Sequence, residues 1–205
     1  KFINNHGILV PIMAAEKWDM LTDTLILDEE LYDQTNKKWM REVKLPKKSK
    51  PSLWEAYKEF SELLVISQDE TTSMITIQIE YFSPIMAKQW LIWLIADVNE
   101  FMRDEDQKEA KDSIDYLTDQ LQHIHVTTME TVFYQLIEEQ TKNIMLTKVK
   151  AEYVLKTIDP AQIPEEKAKP KRALIVVLGT VLGGMLSVII VLIRYFSNKN
   201  PNKKD

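Results

Sequence analysis

The sequence predicts an α+β chain: a small α/β base domain, a long antiparallel α-helical hairpin rising from it as a stalk, and a C-terminal transmembrane helix. Three observations carry that reading. Residues 173–193 are an uncharged run of 21 residues, and at about 1.5 Å rise each they cross a hydrocarbon layer of about 30 Å. Residues 83–148 carry two long apolar series at helical spacing, separated by a short β-branched break. Everything before them is charged and alternates strand-like, turn-like and helix-like patterns.

Residues 1–45 mix short apolar runs with polar turns, and Thr24 to Leu27 reads as a short strand. Lys1-Phe2-Ile3-Asn4-Asn5-His6 reads like the inside of an element, so an N-terminally truncated fragment is expected. Asp28-Glu29-Glu30-Leu31-Tyr32-Asp33 lacks the alternating acids and turn glycine of an EF-hand loop, so it reads as solvated surface rather than a calcium site. Trp18, Tyr32 and Trp39 have rings able to stack on sugars, but core packing is the safer reading.

Lys44-Leu45-Pro46-Lys47-Lys48-Ser49-Lys50-Pro51 is a basic, proline-marked loop. Ser52-Leu53-Trp54-Glu55 fits a capping box, in which the serine accepts from the N3 amide and the glutamate reaches back. Leu53, Ala56, Tyr57, Phe60, Leu63 and Leu64 follow at helical spacing. Val65 to Gln68, a polar turn at Asp69-Glu70-Thr71-Thr72, and the alternation of Ile75, Ile77, Ile79 and Tyr81 predict a β-hairpin.

Ser83-Pro84 opens the longest helix, with serine as N-cap and proline at N1. Ala87, Leu91, Leu94, Val98 and Phe101 step by four and three. A second series, Ala110, Ile114, Leu117, Leu121 and Ile124, follows a charged turn with shifted phase. A helix from Pro84 to about Gln122 is about 58 Å long, more than a small base can bury, so part of it must project and pack on another helix. His123-Ile124-His125-Val126-Thr127-Thr128 reads as the break. Thr127 and Glu130 fit a second capping box, and Met129, Val132, Phe133, Leu136, Ile137, Ile144 and Met145 form the returning helix. His123 and His125, at the hairpin tip without an acidic partner, read as solvated rather than as metal ligands or a pH switch.

Tyr153 to Ile158 reads as a final strand beside Ile75 to Tyr81, ended by Asp159-Pro160. Pro164 to Pro170 reads as a stiff, extended approach to the bilayer, and Pro160, Pro164 and Pro170 are expected to orient the exit strand. The expected domains are a base of residues 1–82 and 149–160, a helical hairpin of 83–148, a proline-rich juxtamembrane linker of 161–172, the transmembrane helix of 173–193, and a tail of 194–205. Tyr195 and Phe196 sit where aromatic rings favour the headgroup layer, and lysines and arginines balance on the two flanks, so charge alone does not orient the span. Gly179, Gly183 and Ser187 fall four apart on one stripe, which lets a second membrane helix approach closely; the plainer alternative is that glycine is common in such helices.

Composition bounds the chemistry. The net charge is −5, and the tail contributes +3 through four cations and Asp205, leaving −8 on residues 1–172. An acidic domain of that kind is a poor phosphate binder, which argues against nucleic acid. There is no cysteine, which removes thiolate metal sites, disulfides and thiol catalysis. Neither G-x-x-x-x-G-K-[ST] nor G-x-G-x-x-G occurs. Glu138 and Glu139 are adjacent and point to different sides of a helix, so they cannot form a facing acid pair. No catalytic, cofactor-binding or metal-ligating residue is assigned.

Three stretches carry a family resemblance. One is Ile77-Gln78-Ile79-Glu80-Tyr81-Phe82-Ser83-Pro84 with Ala87, Trp90 and Leu94. The second is Met102-Arg103-Asp104, Lys108-Glu109-Ala110, Ser113-Ile114 and Tyr116-Leu117, followed by Ile137-Glu138-Glu139-Gln140-Thr141. The third is Thr157-Ile158-Asp159-Pro160-Ala161 through Pro164 and Pro170-Lys171-Arg172-Ala173-Leu174 to Gly179 and Gly183. In these the chain resembles the Wzz-type chain-length determinants, the class 1 polysaccharide co-polymerases, over essentially its whole length. It departs from their pattern by lacking the first membrane helix and the first strand. The resemblance implies a bacterial inner-membrane protein with its main domain in the periplasm and a short cytoplasmic tail. It further implies a homo-oligomeric ring that works with a Wzy-type polymerase, with lipid-linked glycan at hand, to set the modal length of O-antigen or a related surface polysaccharide. Such a regulator is not an enzyme. With twelve residues after Ile193 and no Walker motif, the class 1 pattern fits better than the class 2 proteins, which are joined to or partnered with a tyrosine autokinase. Two other readings stand beside it: a membrane-anchored helical adaptor or sensory ectodomain, and a glycan-processing enzyme, which would need two convergent carboxylates or an aromatic cleft in the base.

Overall fold

A computed structural model describes residues 1–123, 127–149, 152–164 and 172–198. The chain divides into two units, residues 1–163 and 164–205. In the first unit, two short helices, α1 (Phe2–Asn5) and α2 (Leu9–Ala14), meet at Gly7, whose φ of +63° is a left-handed conformation that favours glycine. Next come two antiparallel hairpins, β1 (Ala15–Asp19) with β2 (Thr24–Leu27) and β3 (Tyr32–Asp33) with β4 (Lys38–Trp39). The strand predicted at Thr24 to Leu27 is β2. Its partner β1 carries a register shift between Ala15 and Lys17. Trp18 and Tyr32 do not enter the core as expected. Trp18 Nε1 donates to Asp23 at 2.9 Å across its own turn, and Tyr32 meets Trp39 edge-on at 5.0 Å, so these half-buried rings pin their hairpins.

The predicted capping box opens α3 (Leu53–Leu63): Glu55 N donates to Ser52 Oγ at 3.2 Å and Ser52 N to Glu55 Oε2 at 2.9 Å. The third hairpin joins β5 (Leu64–Gln68) to β6 (Ile75–Ile79), with Ile66 opposite Ile77. Its turn is tied by Asp69 Oδ1, which accepts from Thr71 N and Thr72 N, both at 2.8 Å. Ser83 then caps α4 (Pro84–Leu121), accepting from Met86 N at 3.3 Å with Pro84 in the first turn.

The core gathers Ile3, Ile8, Ala56, Phe60 and Trp90, bringing α1, α2, α3 and the first turns of α4 together. Trp90 is the largest fully buried side chain, and Tyr81 lies 4.4 Å from it, ring to ring. Burial raises the Tyr81 hydroxyl pKa, and the hydroxyl donates to Pro11 O at 2.7 Å. The buried centre of the first turns of α4 is thus Trp90 rather than the series Ala87, Leu91, Leu94 and Val98, which is half-buried. Phe101, the end of that series, is exposed, with Lys1 Nζ 5.4 Å from its ring centroid.

α4 has 38 residues, about 57 Å by helical rise, and α5 (Thr127–Val149) returns along it. The second unit contains α6 (Arg172–Asn198), in which Ile175–Tyr195 has a mean hydropathy of 2.7. Its length and composition fit a bilayer crossing.

The predicted final strand from Tyr153 to Ile158 does not form: residues 152–164 contain no strand, and β6 pairs with β5 alone. The aromatic and β-branched residues there favour a strand. Instead a side chain takes the backbone groups a sheet would have used.

Candidate functional site

The segment that follows α5 is fastened to the middle of α4. Asn99 is 5 % exposed, between the half-buried Val98 and the exposed Glu100. Its Nδ2 donates to Leu155 O at 2.9 Å, while its Oδ1 accepts from Val154 N at 2.9 Å and Leu155 N at 2.8 Å. One side-chain amide therefore stands in for a neighbouring strand and fastens the segment after α5 to α4. A buried amide so placed is satisfied on both its donor and acceptor sides, which removes the desolvation penalty of leaving it unpaired.

Seven residues on, and on the same helix face, Asp106 Oδ2 accepts from the Tyr153 hydroxyl at 2.6 Å. That hydrogen bond to Asp106 raises the Tyr153 pKa, burial and the carboxylate charge add to it, and Arg103 opposes it. Glu152 closes the segment by accepting from Thr157 N at 3.2 Å. Beyond it, Pro160, Ala161 and Ile163 lie beside Ile92 and Ile95 of α4 around an apolar groove.

Above this clamp, α4 and α5 pack by heptad spacing. On α5 the less exposed positions are Glu130, Phe133, Ile137, Gln140, Thr141, Ile144 and Thr147, which fall mostly three and four apart. On α4 they include Ala110, Ile114, Leu117 and Leu121. The predicted α5 series is therefore split between two faces. Phe133, Ile137 and Ile144 meet α4, while Met129, Val132, Leu136 and Met145 are exposed, as are Leu146 and Val149. Met129, Val132 and Leu136, at i, i+3 and i+7, thus form an exposed apolar stripe on the first half of α5. Glu138 is exposed and pairs with Lys142 at 2.7 Å, four residues on.

Two residues before Asn99 on α4, Asp97 holds His6: His6 Nε2 lies 3.1 Å from both carboxylate oxygens, and its ring stacks on Trp93 at 4.5 Å. This joins α1 to α4 beside the core. Sequence reading singled out His123 and His125 instead. His123 is exposed at the end of α4, and His125 lies outside the described residues, as does the Thr127 side chain of the second predicted capping box.

Gly179, Gly183 and Ser187 lie four apart on α6. A Cβ on either glycine would meet nothing within 4 Å, and Ser187 Oγ donates back to Gly184 O at 2.7 Å. Pro160 and Pro164 are exposed in the irregular segment, and Pro170 lies outside the described residues. Among the described residues no three histidine, aspartate or glutamate side chains gather into a metal-binding group. Asn99, Asp106 and Tyr153 escaped sequence reading. The available signal was a polar residue recurring on a stripe with Arg103 and Ala110 where apolar packing is the norm.

Residues 120–196 match the family described as a G-rich domain on putative tyrosine kinase. The match runs from the end of α4 through α5, the clamped segment and most of α6. That family is associated with polysaccharide co-polymerases and tyrosine-kinase-linked proteins, so a membrane protein connected with polysaccharide is the class the match supports. No curated protein matches the chain.

Proposed function

We propose that this chain is a non-enzymatic, Wzz-type regulator of surface-polysaccharide chain length. In this reading it is anchored in a bacterial inner membrane by α6, with unit 1 in the periplasm. It assembles into a homo-oligomeric ring and works with a Wzy-type polymerase on a lipid-linked glycan. The observation that carries the proposal is the continuous match from stalk helix through clamped exit segment to apolar helix. The exposed apolar stripe of Met129, Val132 and Leu136 on α5 supports lateral packing between copies, since grouped exposed apolar side chains often mark a protein contact. On α6, Gly179, Gly183 and Ser187 offer the close-approach stripe for a second membrane helix. Chain-length control by a scaffold requires no catalytic group. Its ingredients are fixed spacing between copies and a firm link from stalk to membrane, and the Asn99 clamp serves that link.

The test is a gel of surface glycan resolved to single repeats, from cells lacking the gene and from the same cells with the full-length gene restored. Length control gives a clustered ladder that collapses on deletion and returns on restoration. An unchanged ladder moves the reading to an adaptor or sensory ectodomain, and total loss of polymer moves it to an essential assembly or enzymatic role.

A further inference from the structure

The first turn of α3 gathers two features that neither the stalk nor the anchor uses. Between Arg41 and Lys58 six cations face two acids, a net charge of +4 within a chain of −5. Lys44, Lys47, Lys48 and Lys50 are all exposed, and Leu45, at the tip of their loop, is 92 % exposed. The loop does not simply trail in water. Arg41 Nε donates to Ser49 O at 2.7 Å and Nη2 to Lys48 O at 2.9 Å, the same guanidinium holds Glu55, and Pro51 is buried behind it. A leucine on so constrained a loop cannot fold back to cover itself. On the first two turns of α3, which the loop reaches through the Lys47–Glu55 pair, Trp54 is 73 % exposed, and Leu53 and Tyr57 are exposed with it. The Trp54 and Tyr57 rings stack on each other at 5.6 Å and so keep an open aromatic face.

We propose that this surface docks on the anionic headgroups of a lipid bilayer. Clustered lysines are drawn to anionic lipid, tryptophan and tyrosine favour the headgroup layer, and a protruding leucine reaches the acyl boundary. Neither other class of partner uses all three: a polyanionic glycan would leave Leu45 wet, and an apolar protein face would leave four lysines without counter-charge. The acids nearby do not cancel the field. Glu55 is engaged by Arg41 and, at 3.6 Å, by Lys47. By helical spacing Glu59 and Glu62 continue the Glu55 flank of α3 one and two turns beyond the residue that the loop engages. Glu42 is the one exposed acid left between Arg41 and Lys58. Because α6 belongs to the same chain, a bilayer is present at high effective concentration. The proposal does not depend on chain-length control.

The absence of cysteine allows a single label. The full chain with Leu45→Cys, carrying a polarity-sensitive dye at the loop tip, is placed in nanodiscs of phosphatidylcholine alone or mixed equally with phosphatidylglycerol. Docking gives blue-shifted emission in the anionic discs only, and high salt reverses it. Replacing Lys44, Lys47, Lys48 and Lys50 with glutamine weakens the loop's partition about fivefold per lysine and restores the aqueous emission. These side chains are exposed, so the circular dichroism spectrum is expected to be unchanged. Equal emission in the two bilayers overturns the proposal. So does a shift that follows protein concentration, which marks contact between copies, and so does a shift produced in phosphatidylcholine discs by inorganic phosphate or an anionic polysaccharide.

Discussion

Asn99 and Leu155 are 56 residues apart in sequence and joined through both backbone groups of Leu155: its amide donates to the Asn99 side chain at 2.8 Å and its carbonyl accepts at 2.9 Å. The link ties the segment leaving the stalk to the helix that entered it.

Replacing Asn99 with alanine leaves the amides of Val154 and Leu155 and one carbonyl without their partner. The expected cost is about 1–3 kcal/mol of stability. Asn99→Asp keeps the acceptors but loses the donor to Leu155 O, and is expected to be destabilising as well. Denaturant unfolding of the full chain reads the cost. Amide hydrogen exchange accelerated at Val154 and Leu155 but not at Trp90 locates it.

Tyr153→Phe removes the hydroxyl that Asp106 accepts, at an expected cost of about 1 kcal/mol. Because the folded Tyr153 pKa is raised, its contribution is fully present below the unfolded tyrosine pKa and is lost as pH rises through the folded value. The stability difference between wild type and variant should therefore shrink in alkaline solution. A constant difference across that range would show that the hydroxyl acts by packing alone.

Glu55 gives the acid-side counterpart. Hydrogen bonds from Arg41 first, then from the Ser52 amide, lower its pKa to about 2 from the 4.5 of a free glutamate. With a folded value depressed below the unfolded one, its contribution is present above about pH 4.5 and is lost as pH falls toward 2. Glu55→Gln is expected to destabilise by about 1–3 kcal/mol at neutral pH, with the difference closing over that window. Unfolding curves at a series of pH values measure it.

The exposed stripe of α5 predicts self-association. Val132→Lys with Leu136→Lys places two charges on exposed positions, so the monomer fold should persist while oligomer mass falls. Mass photometry of the detergent-solubilised chain distinguishes the two. An unaltered oligomer would mean that copies meet through another surface.

Gly179→Leu with Gly183→Leu fills the small-residue stripe of α6. If close helix packing sets the spacing of copies, the glycan length distribution shifts at equal expression. An unchanged distribution removes the stripe from the mechanism.

Local structure in this chain was legible because its determinants are local. The Ser52 and Ser83 caps, the alternation of the β6 strand and the apolar run of α6 each depend on residues within a few positions, and each appears as read. The length of α4 was legible too: its two apolar series differ in phase, but no proline or glycine interrupts residues 85–122. Which face of each element is buried was decided elsewhere. Trp90, not the half-buried series beside it, anchors the core because α1, α2 and α3 converge on that face. The α5 series divides into an inner and an outer face because one helix, α4, covers only one of them. Residues 153–158 carry a strand's pattern, but the partner they meet is the Asn99 amide rather than a sheet edge. A backbone group is satisfied by whatever lies within hydrogen-bond reach, and only the tertiary fold brings position 99 to position 155.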